Sequence, residues 1–453
     1  VKISTLRNLS TLVARICPPH RIQLPGGALW VLLILPFTAC RQSLPEPVTL
    51  TFLDPEWSHD ARERSLLSDQ MLLEFTQQTG IRVKHLPAPE TSPAQLALIR
   101  DLLQKEAPTP DVYGIDVIWP GMLSEYLVDL KPYFASETAS EDREVVRNYT
   151  IQEKLVALPY HLNTGVLFYR ADLLDKYGYR EPPKTWDEME KMALRIQEGE
   201  RSRGNRDFWG FVWPGAASEG LTCNALEWQF DEGGGHIIEA DKKISVNNPN
   251  AIRAWERAAH WVGWISPPSV LSYQEWDSSN AFLNSERAAF ARGWTSDYFL
   301  RHPLDLPIQD RVGETSLPGG KLARVGTLGG FGLGISRFST HVPEAVKLVQ
   351  FLLHKEAQLE QAQLSRPLPR YPQLYEMPNI LSVNSGHGQS GNGAGVVTRP
   401  STVSGANFDD VSRAYIAAVH SVLAGRARAA DAARELEKRL VAITGFQTGL
   451  PSN

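Results

Sequence analysis

Asp116 is a carboxylate near the carboxyl end of an apolar run, Asp111–Trp119 (DVYGIDVIW), and is followed by Trp119 and a Pro120-Gly121 turn. An ionised group inside such a run is costly unless something donates hydrogen bonds to it. Sugar hydroxyls can do so, and a charged acceptor gives stronger bonds than a neutral one. In open α/β sheets ligands sit in the crevice outside the carboxyl ends of strands, which is where this aspartate stands. The plain alternative is an aspartate that caps a neighbouring helix. The 12 tryptophans are many for 453 residues. Each is a large core side chain, or else a flat apolar face with one N–H donor.

Catalytic patterns are scarce. The 11 histidines are scattered, no His-Glu-x-x-His occurs, and three cysteines form no zinc cluster. Ser390 lies in HGQSG within a glycine-rich stretch, without the strand and helix that a nucleophile elbow needs. Gly329–Gly334 (GGFGLG) does not open a helix within a βαβ unit, so it is not a dinucleotide fingerprint. Asn148-Tyr149-Thr150 matches a glycosylation sequon. A glycosidase needs two facing carboxylates, and any two of the 51 acids could supply them.

The elements that would position these groups alternate. Val48–Leu53, Ile81–Leu86 and Asp111–Trp119 read as strands, with helices at Ser65–Thr79 and Ala94–Lys105 between them. That alternation predicts βαβ units and a mainly parallel sheet. Leu162–Arg170, Trp209–Trp213, Ala288–Trp294 and Gly332–Ser336 are further strands. Thr185-Trp186-Asp187-Glu188 reads as a helix-capping segment. Asn250–Trp264, Ser279–Glu286, the stretch opened by Pro343, Phe408–Leu423 and Ala429–Ile443 read as helices. Val383–Gly395 is low-complexity Gly, Ser and Asn, a surface loop.

Upstream of all this stand Arg7, Arg15 and Arg21, an apolar run from about Ala28 to Phe37, then Thr38, Ala39 and Cys40. A basic region, a short apolar run and small residues make an export signal, and ten apolar residues are too few to span a bilayer. Residues 41–47 read as a tether. Cys17 lies in the leader, so Cys223 is the one thiol of the body and no internal disulfide is expected. Net charge is −5 with no basic stripe, which argues against nucleic acid as a partner.

The leader resembles a bacterial lipoprotein signal, in which Cys40 would receive lipid. The body resembles the extracellular solute-binding proteins of sugar ABC importers, and is most similar to the trehalose/maltose-binding group. The resemblance rests on Asp111–Leu130, Leu158–Tyr179, Pro182–Trp186 (PPKTW), Phe208–Gly215 (FWGFVWPG), Ser218–Cys223 (SEGLTC) and Thr327–Ser336 (TLGGFGLGIS), in that order. It implies an α/β, two-lobed periplasmic-binding-protein fold with a hinge and a central ligand cleft. One lobe would comprise 48–157 plus 331–372, the other 158–330 plus 373–453.

Carried over by position, the resemblance gives Asp116 as an acceptor of sugar hydroxyls and Trp294 as a stacking face. Asn163 stands where relatives often have Asp, His161 at a usual Tyr position, and Phe331 in place of a Trp. Gly330 would let the backbone approach the sugar. Arg399 would reach hydroxyls from the other lobe, and Glu219 is a further candidate. The implied partners are a disaccharide or small oligosaccharide, ABC permease subunits and, through the acyl anchor, a lipid bilayer. No cofactor or metal is implied, and the protein would be a monomer without catalytic activity. Each residue has a plain alternative: Trp294 and Phe331 as core, Arg399 paired with a carboxylate, Trp209 and Trp213 as second-lobe core. Two rival functions stay open, an exported carbohydrate-active enzyme and a binding protein for another oligosaccharide or polyol.

Overall fold

A computed structural model describes residues 47–55, 69–89, 92–135, 143–295, 308, 311–320, 324–364 and 395–452. The leader through Cys40 and the low-complexity stretch to residue 394 lie outside the described residues.

The first apolar runs form β1 (Thr49–Asp54), β2 (Arg82–Pro87) and β3 (Val112–Asp116), with β1 parallel to both neighbours. Between them run α1 (Asp69–Thr79), which buries Met71 and Phe75 one turn apart, and α2 (Ser92–Gln104). Asp111 is buried at the foot of β3. It accepts from the Thr51 amide and hydroxyl at 2.7 and 2.8 Å, so its charge is used within the fold.

A small hairpin, β4 (Thr150–Ile151) and β5 (Lys154–Leu155), precedes the long strand β6 (Leu158–Arg170). β7 (Trp209–Val212), β8 (Ala288–Trp294), β9 (Val312–Ser316), β10 (Val325–Ile335) and β11 (Gly395–Val397) follow. The sheet order is β2-β1-β3-β10-β6-β8-β7, with β11 on β10 and β9 on β6. The sheet is mixed, not mainly parallel: β10 is antiparallel to β3 and to β6, and β6 is antiparallel to β8 and β9. The alternation holds for β1, β2 and β3, which are parallel as βαβ units require; the long strands β6 and β10 come later and run antiparallel to each other, and β10 also to β3.

Two large hydrophobic cores flank these crossing strands, and a smaller cluster around Val166, Phe168 and Phe282 lies against β6 and β8. Leu158, Tyr160, Leu328, Leu333 and Ile335 belong to the first, with β1–β3; Leu167 and Val325 belong to the second. The second core is built on tryptophan. Trp261 lies 5.2 Å from Trp186 and 5.3 Å from Trp228, and Trp228 lies 5.1 Å from Trp213, centroid to centroid. Trp213 is thus core, whereas Trp209 is half-buried under the Arg201 guanidinium.

The helices of the second half are α3 (Trp186–Ser202), α4 (Glu219–Asp231) and α5 (Pro249–Trp261). Thr185 and Glu188 form a reciprocal capping box at the start of α3. In place of one helix over Ser279–Glu286, an α-turn (Glu275–Ser279) runs into a π-turn (Asn280–Asn284). α6 (Val342–Leu353) and α7 (Lys355–Leu364) return to the first core, to which Ala357 belongs. α8 (Phe408–Leu423) and α9 (Ala429–Thr444) cover the second core, except that Phe408 packs into the first. The sequon asparagine Asn148 is buried and its amide donates to the Val117 carbonyl at 2.6 Å, so it is committed to the fold.

Candidate functional site

Three strand registers build the site. Phe331 on β10 lies opposite Asp116 on β3 and opposite His161 on β6. Two residues along β6, Asn163 lies opposite Gly329; two further, Gly165 lies opposite Trp294 on β8. Residues directly opposite, or two apart on one strand, share a face. Asp116, Phe331, His161, Asn163 and Trp294 therefore form one band across the sheet, from the first core to the second.

Glycines let the band close up. A Cβ at Gly329 would collide with the Asn163 side-chain oxygen and stand 2.8 Å from Trp294 Cζ3. Gly330 has φ +110°, a left-handed conformation that favours glycine, and a Cβ there would strike the His161 carbonyl. The approach that Gly330 permits here is between β10 and β6, and the register shifts next to it, between Phe331 and Gly332.

The polar groups differ in their surroundings. Asp116 accepts from the Ile118 amide at 3.1 Å. Burial pushes its carboxyl up to about 6, against the pull of Arg399 and that amide. His161 is 5 % exposed, and neither ring nitrogen has a hydrogen-bond partner among the described residues. Burial lowers it to about 4, so the ring is neutral at pH 7 and offers one donor and one acceptor. Phe331 is partly buried, edge-on to the buried Trp119 at 6.5 Å.

α4 runs over the band, with Glu219 in its first turn. Arg399 donates from Nη1 to Glu219 Oε1 at 3.1 Å and from Nη2 to the Leu328 carbonyl at 3.2 Å. Its Nε is buried without a partner among the described residues. Ser412 on α8 donates to the other Glu219 oxygen at 2.5 Å. Burial raises the Glu219 carboxyl above its usual range, against Arg399 and Ser412. Val117, Ile118 and Asn148 face Leu328, Thr398, Arg399 and Ser401 with no room for a water molecule between them. Elsewhere, about 470 Å³ opens at the start of α3 beside Arg253 and Arg257, and Arg257 is engaged there by Asp187, Glu190 and Glu232.

All eight residues expected to contact ligand thus lie in the β3–β10–β6–β8 band or at the α4 end above it. The family model for the bacterial extracellular solute-binding proteins matches residues 70–382. The chain belongs to that family. Its body accordingly works outside the cytoplasm, and no described helix is long and apolar enough to cross a membrane. A probable ABC transporter-binding protein of Deinococcus radiodurans is 38% identical over 376 residues, covering 82% of this chain and 89% of the relative. Maltose-bound MalE3 of T. maritima superposes with a TM-score of 0.75 at 30% identity, over 87% of this chain and all of that one. A solute-binding protein of Agrobacterium radiobacter K84 solved with ribitol gives 0.68 at 21% identity, over 88% of this chain and all of that one, and so shares the fold. The two-lobed α/β architecture of these proteins is the one found here.

Sequence reading missed several neighbours of this candidate site. Glu275 accepts from the Trp294 indole N–H at 3.4 Å. Tyr149 is buried against Gly332, and its hydroxyl has no partner among the described residues. Arg292 and Glu227 form a buried ion pair behind Trp294. Arg292 could have been found: it is a charge inside the apolar strand AAFARGW, the same cue that marked Asp116.

Proposed function

We propose that this solute-binding protein captures a disaccharide of the trehalose/maltose class and delivers it, unaltered, to the permease subunits of an ABC importer. What supports this most is the band itself: a carboxylate, a neutral imidazole, an amide and two aromatic side chains on one sheet face spanning both cores. Neutral hydroxyls suit Asp116, His161 and Asn163 as acceptors and donors, and the apolar face of a sugar ring suits Trp294 and Phe331. Glu219 and Arg399 approach from the α4 side, the guanidinium fork matching two acceptors at once. Similarity to a maltose-bound protein at 30% identity favours the same ligand class.

A sugar that touches both halves binds best when they are closed upon it, so it shifts the open–closed population toward the closed form. Lipid on Cys40 would hold the protein at a bilayer, with residues 41–47 as tether, and a monomer suffices. Radiolabelled palmitate should enter the parent and not Cys40→Ser.

A thermal-shift screen over maltose, trehalose, maltotriose and ribitol tests the reading, since whatever binds only the folded state raises the midpoint. A clear rise with one disaccharide is expected. No rise with any of them, or sugar hydrolysis that tracks the purified protein, overturns it; a rise with ribitol alone transfers the site to polyols.

A further inference from the structure

Behind Trp294 lies a charged pair that contacts no solvent. The side chains of Arg292 and Glu227 are 1% and 0% exposed. Arg292 donates from Nη2 to Glu227 Oε1 at 2.7 Å and from Nε to Oε2 at 3.2 Å. Glu227 Oε1 also accepts from the Thr327 amide of β10 at 2.9 Å. A Cβ at Gly165 would press on both side chains, so the pair sits directly over β6. The Arg292 guanidinium carbon lies 4.1 Å from the centre of the Trp294 ring.

Stability alone is a poor reason to keep such a pair. Replacing a buried ion pair with well-packed apolar side chains is often neutral or stabilising. Here Arg292 Nη1 is, in addition, buried without a partner among the described residues. What the pair does supply is a rigid planar surface against an indole at a strand end, held by a two-pronged bond and a backbone amide. A guanidinium this close to an indole is held by cation–π attraction and stacking.

We infer that Glu227 and Arg292 are positioning residues: they clamp one face of Trp294, so that a sugar ring can stack only on the other. The inference rests on the sugar-binding reading above. It assigns the pair no direct contact with the sugar.

The test uses the full chain, the double variant Glu227→Leu/Arg292→Met, which removes both charges together, and maltose as probe. The double variant should melt at or above the parent temperature, yet bind maltose at least tenfold more weakly. In a Trp294→Ala background the same double change should cost less than twofold, because its effect passes through the indole. A ligand-free readout stands apart from the sugar reading. The near-UV circular dichroism lost on Trp294→Phe should be absent already in the double variant. If that band persists, or maltose affinity stays at the parent value, or the loss is equally large without Trp294, the clamp is overturned. Failure of the parent to bind any sugar overturns the function and leaves the spectral arm to decide the clamp.

Discussion

Two arginine–glutamate pairs stand beside the candidate site, and they are built differently. Arg292–Glu227 is sealed on both sides, and Glu227 has a backbone amide as well as both prongs of its arginine. Arg399–Glu219 is joined through a single nitrogen at 3.1 Å, with the Glu219 side chain 32% exposed and Arg399 Nε unsatisfied. Each arginine keeps one unpartnered nitrogen among the described residues, Nη1 of Arg292 and Nε of Arg399, so the pairs differ in access: the Glu227 carboxylate is sealed, whereas that of Glu219 is open to an incoming molecule. On the function proposed above, the sealed pair is a support and the open pair a contact, and exposure of the carboxylate separates them.

The comparison breaks most readily at Glu227. Glu227→Ala leaves a guanidinium buried without its counter-charge, and should lower unfolding free energy by about 3–5 kcal/mol, read by urea denaturation. Glu219→Ala strips a charge-assisted bond from Arg399 and an acceptor from Ser412 in a wetter place. It should cost about 1–2 kcal/mol, with weaker sugar binding by calorimetry. Equal losses at the two positions would erase the distinction.

Asp116 sharpens it along the pH axis. Its carboxyl is raised from 3.8 to about 6, so between those values the folded chain holds a proton that the unfolded chain has lost. Stability should therefore fall as pH rises through that window, by Asp116's contribution, and level off above it. Sugar affinity should move the opposite way, because only the ionised form is the strong acceptor. Calorimetric and melting titrations of the parent against Asp116→Asn check both signs, and the variant should show neither trend. The smallest effect belongs to Arg100–Asp409, a bridge between α2 and α8 with both side chains 32% exposed. Arg100→Ala should change unfolding free energy by about 0.2–1 kcal/mol.

What the sequence made legible follows from how each segment meets solvent and core. β3 and Asp116 were readable because a charge interrupts a β-branched apolar run. α8 and α9 were readable within a residue or so from their amphipathic spacing. α4 gave no such signal: eleven of its thirteen residues are buried, among them Asn224, Glu227, Gln229 and Asp231, so polar and apolar positions do not segregate. The first half of β10 was missed because its glycines, chosen for close strand approach, carry no strand propensity. Asp116, Asn163 and Trp294 share a face only through registers that pair residues scores of positions apart, and no local pattern encodes those. Resemblance to a family, not periodicity, pointed to Arg399.

The register slip between Phe331 and Gly332 has a mechanical consequence. β6 and β10 carry the sheet from one core to the other, so any swing of one half must flex these strands. A kinked ladder yields more easily than a regular one, and this kink sits beside the row that joins Asp116 to His161. On the function proposed above, bending there would re-aim Asp116 and His161 as the halves move, so that grip and hinge would share one piece of backbone.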